Sequence, residues 1–273
     1  MQKFVLGIGA QKSGTTWLYE YISKDYRFRR GPVKPKELHV WNHREISEFH
    51  EKRRRLTNAF NLSRLYLWRM EKSDYFYFDY FTNLLKHGGI AVDITPAYSG
   101  LSQGTLIRIN DEFAKRNILL QCVFLMRDPV ARCVSGFGHN RSRSVSREVR
   151  QGAPRGKEVN ESFREYFKSE SCMFRTRYDI TIKNALSAFG KEKFGAFLYE
   201  DIFKGDGLQQ LADFLEMPPR PELLDRKANV ARKSYEIEES AKRECAQFYA
   251  ETYAYVSALI PSAKATWKGM QYL

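Results

Sequence analysis

No stretch of this sequence is apolar for anything near the roughly 18 residues that a membrane-spanning helix needs. At the N-terminus, MQKFVLGIGAQKSGTTW, one lysine precedes a short apolar stretch, but glycines and a charged loop follow at once. No small-residue cleavage site follows, so the pattern of a secretory signal peptide is missing. These absences predict a soluble protein without a membrane span that works in the cytoplasm.

Cysteine and histidine are also sparse. The four cysteines are scattered, none of them forms the CxxC spacing of a zinc site, and their number does not fit a disulfide framework. We therefore expect reduced, packed thiols. The five histidines are scattered too, and although His39 and His43 could share a helix face, no third ligand is apparent. The sequence predicts no metal site.

Positive charge is what the sequence has in excess. Its 273 residues include 45 Lys and Arg against 32 Asp and Glu, a formal net charge of +13. Such a charge favours anionic partners: nucleotides, nucleic acid, acidic lipids, or sulfated and phosphorylated substrates. With 43% hydrophobic and 28% charged residues, the composition is that of an ordinary globular protein. We expect a single domain over residues 1–273.

Short apolar segments alternate with amphipathic ones along the chain. Buried strands are predicted at residues 3–9, 90–95, 118–126 and 193–199. Helices are predicted at residues 15–24, 103–115, 129–138, 178–189, 208–215 and 236–259. This alternation predicts an α/β fold with a central parallel sheet that helices flank on both faces.

Two stretches interrupt the alternation. Residues 44–86 have a helical and aromatic pattern and form a predicted insertion whose simplest role is packing. Residues 140–157, NRSRSVSREVRQGAPRGK, are basic and lack apolar periodicity, which predicts a mobile surface loop. We call residues 140–157 the basic loop. It is either a solvated run of charges or an electrostatic lid over an anionic substrate.

The loop after the first predicted strand has the composition of an anion site. Residues 9–16, GAQKSGTT, lie between a strand and a helix, where backbone N–H groups converge in open α/β folds. The two glycines let the backbone approach an anion, and Ser13, Thr15 and Thr16 add hydroxyl donors. A triphosphate-binding P-loop has lysine after its second glycine, but Thr15 occupies that position. The loop therefore favours an anion other than a nucleoside triphosphate.

Two motifs resemble those of the sulfotransferases that use 3′-phosphoadenosine 5′-phosphosulfate (PAPS). The segment QKSGTTW, residues 11–17, resembles their 5′-phosphosulfate loop, and FLMRDPVARCVSGF, residues 124–137, resembles their 3′-phosphate motif. Arg127 would follow a strand, where its guanidinium can form paired hydrogen bonds with a phosphate. The resemblance implies PAPS as the donor, held by Gln11, Lys12, Ser13, Gly14, Thr15, Thr16, Trp17, Arg127 and Ser135.

Three further segments resemble the glycan O-sulfotransferases of this family, of the heparan sulfate type, and their bacterial relatives. KPKELHVW (34–41) resembles K-x-KELHFF, DITPAY (93–98) resembles E-K-T-P-x-Y, and FGKEKFGAFLYEDIF (189–203) resembles a late strand with a Glu-Asp pair. The family fold is a P-loop-like three-layer sandwich, which agrees with the alternation above. One departure is Ile94, which replaces the lysine of E-K-T-P and puts heparan-type acceptor recognition in doubt.

The resemblance also implies catalytic roles. Glu37 occupies the glutamate of the K-x-KELHFF segment and would be the general base, with His39 as its rival. Lys12 would bridge the leaving 5′-phosphate and the transferring sulfuryl oxygens. Arg232 and Lys233 lie where the family closes over the nucleotide, and either contact the 3′-phosphate or are exposed to solvent. Trp17 either faces the adenine or packs in the core.

The resemblance implies transfer to a hydroxyl or amine acceptor, for which we expect a carbohydrate. A P-loop-type nucleotide kinase is one alternative, but Thr15 and the lack of an obvious Mg²⁺ partner disfavour it. A basic nucleic-acid-binding protein is the other. The basic residues are spread widely and no RRM, KH or zinc pattern is present, so we expect no nucleic-acid partner.

Overall fold

The computed structural model describes residues 1–47, 61–73, 75–141, 158–225 and 235–273. Its central sheet consists of β1 (Gln2–Gly9), β2 (Gly89–Ile94), β3 (Leu119–Met126) and β4 (Phe194–Leu198). The strands lie in the order β2-β1-β3-β4, and all three pairings are parallel. The carboxyl ends of all four strands therefore lie at one edge of the sheet.

Helices fill the connections, as parallel pairing requires. Between β1 and β2 lie α1 (Thr15–Ser23), α2 (Val40–Glu45), α3 (Leu62–Lys72) and α4 (Phe76–Leu85). A 3₁₀ turn (Pro96–Gly100) and α5 (Gln103–Ala114) precede β3. Between β3 and β4 lie α6 (Pro129–Arg141), α7 (Val159–Lys168), α8 (Glu170–Met173) and α9 (Tyr178–Lys193).

The chain after β4 is helical wherever it has regular structure in the described ranges. It contains α10 (Tyr199–Lys204), α11 (Gly207–Leu215) and a 3₁₀ turn (Pro221–Leu223). After residue 235 come α12 (Glu239–Phe248), α13 (Ala250–Leu259), α14 (Ala263–Thr266) and a last 3₁₀ turn (Lys268–Tyr272). This last turn packs back toward the start of α6, as described below.

Alternate side chains of the strands enter two separate hydrophobic clusters. Phe4, Leu6 and Phe124 pack on one face of the sheet with α4, α5 and α9. Val5 and Val123 pack on the other face with α1 and α11. Successive residues of a strand point to opposite faces, so the sheet is covered on both sides. The predicted α/β three-layer sandwich with a central parallel sheet is confirmed.

The predicted strands and helices agree with the structure to within a few residues, with one clear exception. Residues 236–259 were expected to form one helix but form two, α12 and α13, which meet at Tyr249 (φ −102°, ψ 21°). The buried phenol of Tyr249 donates a hydrogen bond to the carbonyl oxygen of Phe167 (2.5 Å). A tertiary contact thus accompanies the break, and hydrophobic periodicity carries no information about such a contact.

The two interrupting stretches are described in part. The interval 44–86 contains α3 and α4, and Tyr77, Phe78 and Phe81 of α4 are buried against the sheet, in agreement with a packing role. Residues 48–60 and 74 of that interval, and residues 142–157 of the basic loop, lie outside the described residues. Within the described ranges no helix is both long and apolar enough to cross a membrane. All four cysteines are buried and free.

Candidate active site

Four chain segments meet the sheet at its carboxyl edge, where open parallel sheets bind ligands. Residues 10–14, which we call the phosphate loop, connect β1 to α1, and Arg127 directly follows β3. Tyr199 directly follows β4. Residues 36–40, which we call the base segment, lie beside the end of β2, where the N–H of Ile94 donates to the carbonyl of Lys36 (3.1 Å). The fold therefore brings both predicted phosphate motifs and the predicted base to one edge.

The backbone of the phosphate loop is held in a tight turn. The N–H of Ala10 donates to the carbonyl of Leu125 in β3 (2.6 Å), and the N–H of Ser13 donates to the carbonyl of Ala10 (3.3 Å). Lys12 and Gly14 have φ angles of 70° and 87°. Glycine adopts such angles readily, whereas a residue with a side chain loses about 1–2 kcal/mol there. The hydrogen bonds of Ala10 and Ser13 hold the backbone on both sides of Lys12.

Two features of the phosphate loop fit an anionic ligand. The Ser13 hydroxyl is fully buried and has no hydrogen-bond partner among the described residues. Leaving such a group unsatisfied costs about 1–3 kcal/mol, which a ligand oxygen could recover. Gly14 leaves little room for a side chain beside Tyr199, because a Cβ at this position would lie 3.1 Å from the Tyr199 ring. Since α1 begins at the next residue, its N-terminal N–H groups add positive potential.

Arg127 connects the phosphate loop with the end of β3. Its Nη1 donates to the carbonyl of Lys12 (3.4 Å), and its guanidinium lies 5.3 Å from the centre of the Tyr199 ring. Its own carbonyl accepts a hydrogen bond from the phenol of Tyr178 (2.9 Å). Ser135 is partly exposed in α6, the helix that begins two residues after Arg127. The structure thus brings Arg127 against the loop that carries Lys12.

Asp128, the next residue, holds the start of α6 in place. Its carboxylate accepts hydrogen bonds from the N–H of Ala131 (3.0 Å), the phenol of Tyr253 (3.0 Å) and the N–H of Gly269 (2.5 Å). The backbone N–H of Asp128 donates to the carboxylate of Glu200. Burial raises the pKa of Glu200, and hydrogen bonds partly oppose that rise. Sequence reasoning missed this role of the C-terminal turn, because Gly269 is 141 residues away from Asp128.

Glu37 lies between two hydrogen-bond donors. Its Oε1 is 2.6 Å from Nζ of Lys36, and its Oε2 is 3.2 Å from Nε2 of His39. Burial alone would raise the pKa of this carboxyl, but the hydrogen bond from His39 and the positive charge of Lys36 outweigh burial and lower the pKa to about 2. Glu37 is therefore ionised at neutral pH, with 33% of its side chain exposed.

His39 is placed by a left-handed backbone and by two side-chain neighbours. It precedes α2 with φ 57° and ψ 20°. Its Nδ1 is 3.2 Å from Oδ1 of Asn42, and its ring stacks on that of His43, with centres 5.4 Å apart. Nδ1 of His43 is in turn 2.7 Å from Oε1 of Glu71. Among the described residues, no three or more His, Cys, Asp and Glu side chains are grouped so that they could hold a metal ion.

The remaining predicted site residues differ in position. Trp17 is 1% exposed, its indole N–H donates to the carbonyl of Leu223 (3.1 Å), and its ring packs on Tyr21 and Phe203. These contacts support the packing interpretation of Trp17 rather than the adenine one. Arg232 and Lys233 lie outside the described residues.

Comparison with known proteins agrees with this fold. The family model described as the sulfotransferase domain matches residues 3–237, and the chain belongs to the sulfotransferase family. It is therefore an enzyme that transfers a sulfuryl group to a hydroxyl or amine acceptor. No curated protein sequence matches the chain.

Two solved structures share the fold. The sulfotransferase from Alicyclobacillus acidocaldarius is 22% identical with a TM-score of 0.59, over 95% of this chain and 96% of that one. The sulfotransferase domain from the curacin biosynthetic pathway is 17% identical with a TM-score of 0.50, over 91% of this chain and 98% of that one. At such identities the likeness extends to the fold alone.

Proposed function

We propose that this sulfotransferase uses PAPS as its donor and a carbohydrate hydroxyl or amine as its acceptor. The observation that carries the donor assignment is the contact of Arg127 with the carbonyl of Lys12 (3.4 Å). A nucleotide with phosphates on both its 3′ and 5′ positions needs two anion sites close together. The neighbouring strands β1 and β3 offer two such sites at their carboxyl ends.

Bound PAPS would supply an activated sulfuryl group and a phosphate leaving group. We assign its 5′ side to the phosphate loop and the start of α1, through Gln11, Lys12, Ser13, Gly14, Thr15 and Thr16. We assign its 3′-phosphate to Arg127 and Ser135, with Arg232 and Lys233 as further candidates. The buried Ser13 hydroxyl and the Lys12 ammonium would be the hydrogen-bond donors that stabilise negative charge on the leaving phosphate.

Glu37 is our candidate for the general base, with Lys12 as its electrostatic counterpart on the donor side. A carboxylate with a pKa of about 2 is ready to accept a proton at any physiological pH, but it is a weak base. Both donors that lower this pKa, Lys36 and His39, contact the two oxygens that would receive the proton. We expect the base to strengthen when the acceptor hydroxyl competes with these donors.

The acceptor assignment rests on the base segment and on charge. The KELHVW segment resembles that of the glycan enzymes, and the net charge of +13 suits an anionic glycan. Ile94 is 0% exposed in β2, so the side chain at this position cannot take the lysine's part in acceptor binding. We therefore infer a glycan acceptor other than a heparan-type one. We further propose that residues 1–273 act as one domain in the cytoplasm.

Transfer of radiolabelled sulfate from PAPS to a panel of acceptors tests this function. The panel should contain neutral and anionic glycans alongside simple phenols and alcohols. We expect labelled glycan with the wild type, and a loss on the order of 10²- to 10³-fold in the Lys12→Met variant. Lys115→Met, which removes a largely exposed charge just after α5, is the matched control. Label on phenols alone would contradict the acceptor assignment, and absence of label on every acceptor would contradict the function.

A melting experiment separates this proposal from the kinase alternative. Adenosine 3′,5′-bisphosphate should raise the melting temperature, because a ligand that binds only the folded state stabilises it. A nonhydrolysable nucleoside triphosphate with Mg²⁺ should not. The reverse result would favour a nucleotide kinase.

A further inference from the structure

The end of β2 carries a buried carboxyl group that the proposed chemistry does not use. Asp93 is 0% exposed. Its Oδ1 accepts a hydrogen bond from the hydroxyl of Thr95 (2.6 Å), and its Oδ2 accepts from the phenols of Tyr98 (2.8 Å) and Tyr77 (2.9 Å). Burial raises the pKa of Asp93 while these hydrogen bonds oppose the rise. Three hydroxyl groups are therefore organised around one carboxyl group.

Two of these hydroxyls also hold the base segment. Three successive backbone N–H groups donate to them: Leu38 (2.9 Å) and His39 (3.4 Å) to Thr95, and Val40 (3.1 Å) to Tyr98. Each hydroxyl has a single proton, and that proton is directed at Asp93. The lone pairs of both oxygens are thereby left to face the N–H groups. Asp93 thus determines the direction in which both hydroxyls point.

The segment that these bonds hold contains an unfavourable backbone conformation. His39 has φ 57°, a left-handed conformation that a residue with a side chain retains only when its surroundings impose it. This turn lies between Glu37 and α2, and it accompanies the 3.2 Å contact between Oε2 of Glu37 and Nε2 of His39. A looser backbone at residues 38–40 would loosen that contact.

We propose that Asp93 is a positioning residue for Glu37, acting through Thr95 and Tyr98 on the backbone of residues 38–40. The inference rests on the proposed function in that it takes Glu37 as the base. It assigns a task to the DITPAY segment, which is to hold the catalytic carboxylate at a fixed distance from His39. Tyr77 brings α4, part of the aromatic interval 44–86, into the same network.

Tyr98→Phe and Tyr77→Phe form a matched pair of variants, each of which removes one phenol hydroxyl. Both phenols are fully buried and both donate to Oδ2 of Asp93. Only the Tyr98 hydroxyl accepts from the backbone of the base segment. A purely structural network predicts similar effects of Tyr98→Phe and Tyr77→Phe on the site, whereas a positioning role predicts that only Tyr98→Phe disturbs Glu37.

The first readout is the ionisation of Glu37, followed by NMR of carboxyl-labelled glutamate, which needs no acceptor. The Glu37 signal is the one missing from the Glu37→Gln spectrum. We expect Glu37 to stay ionised down to about pH 4 in the wild type and in Tyr77→Phe, because its pKa is lowered to about 2. In Tyr98→Phe the pKa of Glu37 should rise toward its ordinary value of 4.5, because the hydrogen bond from His39 weakens while the contact with Lys36 remains. Equal behaviour of Glu37 in the two variants would overturn the proposal.

The second readout is turnover. Tyr98→Phe should lower kcat by roughly ten- to a hundredfold, as expected for a misplaced catalytic group, with the affinity for adenosine 3′,5′-bisphosphate unchanged. In the Glu37→Gln background the same change should have almost no further effect. An equal loss in both backgrounds would show that Tyr98 does not act through Glu37, which contradicts the proposal.

Further variants distinguish three outcomes: a variant that does not fold, a wrong base assignment, and a wrong positioning role for Asp93. If Tyr98→Phe does not fold, Thr95→Val and its conservative counterpart Thr95→Ser give the same comparison, with Thr95→Ser expected to keep the wild-type behaviour. Full turnover in Glu37→Gln would overturn the base assignment. If the pKa of Glu37 is unchanged in both Tyr98→Phe and Thr95→Val, the positioning role is overturned, whichever residue is the base.

Discussion

The phosphate loop and the base segment lie at the same edge of the sheet, but their polar groups are satisfied in opposite ways. In the phosphate loop, the buried Ser13 hydroxyl lacks a hydrogen-bond partner among the described residues. In the base segment, three consecutive N–H groups are bound by hydroxyls, and both oxygens of Glu37 have donors. On the proposed function, the Ser13 hydroxyl would gain a hydrogen bond from the bound nucleotide, whereas the polar groups of the base segment are already satisfied within the protein.

This difference separates the expected effects of substitutions. Changes in the phosphate loop should alter the affinity for nucleotide, because the buried Ser13 hydroxyl has no partner among the described residues and is proposed to bind the nucleotide. Changes in the base segment should alter turnover with little effect on nucleotide affinity. If the division is correct, nucleotide affinity and turnover should respond separately to substitutions in these two segments.

The largest effect is expected for Glu37→Gln, which keeps the shape of the side chain and removes the proton acceptor. Turnover should fall on the order of 10²- to 10⁴-fold, the usual loss when a general base is removed. Nucleotide affinity, measured by calorimetry, should remain nearly unchanged. If His39→Asn loses turnover and Glu37→Gln stays active, His39 is the base. The base segment then still controls turnover, but through His39.

The pH dependence of kcat/KM distinguishes the same two bases without substitution. The pKa of Glu37 is lowered to about 2, so its proton-accepting form persists as the pH falls. With Glu37 as the base, kcat/KM should stay flat between about pH 7 and pH 5 for an acceptor that does not titrate there. An imidazole base would lose up to tenfold per pH unit in the range where histidines titrate, about pH 5 to 8. Melting temperatures at each pH show whether the fold persists.

Gly14→Ala should weaken both the fold and the binding of nucleotide to the phosphate loop. The new Cβ meets the Tyr199 ring at 3.1 Å, and φ is 87° at this position. We expect the free energy of unfolding to fall by about 1–2 kcal/mol from the backbone strain, and nucleotide affinity to fall with it. Gly190→Ala is the control, because Gly190 has φ 69° with no atom within 4 Å of a Cβ. It should lose stability but keep nucleotide affinity. Equal nucleotide affinity in both variants would contradict the role given to Gly14.

The smallest effect is expected for the basic loop, for which the sequence alone is the guide beyond Arg141, whose guanidinium lies 5.6 Å from the centre of the Phe137 ring. Replacing Arg141, Arg143, Arg147 and Arg150 by Gln should raise the acceptor KM, and more so at low salt, because exposed charges are screened beyond about 8 Å at physiological ionic strength. Turnover number and melting temperature should change little. Unfolding of the quadruple variant, or an unchanged KM at every salt concentration, would mean that the loop is not an electrostatic lid.

The sequence was sufficient for the parts of the molecule that depend on local pattern. The strands could be predicted because buried parallel strands are short and continuously apolar. The turn of the phosphate loop between β1 and α1 could be predicted because its glycines and hydroxyls are contiguous. The role of Glu37 stays a proposal that rests on the resemblance of its neighbours to a family segment. Each of these signals lies within about ten residues of chain.

The sequence was insufficient where distant residues meet. Tyr249 interrupts the last long helical pattern beside a contact with Phe167, 82 residues away. The N–H of Gly269 donates a hydrogen bond to Asp128, 141 residues away in the sequence. The N–H of Leu38 donates to Thr95, 57 residues away. Trp17 could not be assigned because an aromatic residue after a glycine loop suits either a ligand or a core. Only packing against Tyr21 and Phe203 decides between them.

The central claim is that two anion sites at neighbouring strand ends hold one nucleotide. Calorimetry with adenosine 3′,5′-bisphosphate and with AMP, in buffer without metal, tests it most directly. A 3′-phosphate bound by Arg127 should contribute about 1.5–3 kcal/mol, the range for hydrogen bonds to charged groups. The bisphosphate should therefore bind roughly 10- to 150-fold more tightly than AMP. Equal affinity for the two nucleotides would contradict the account.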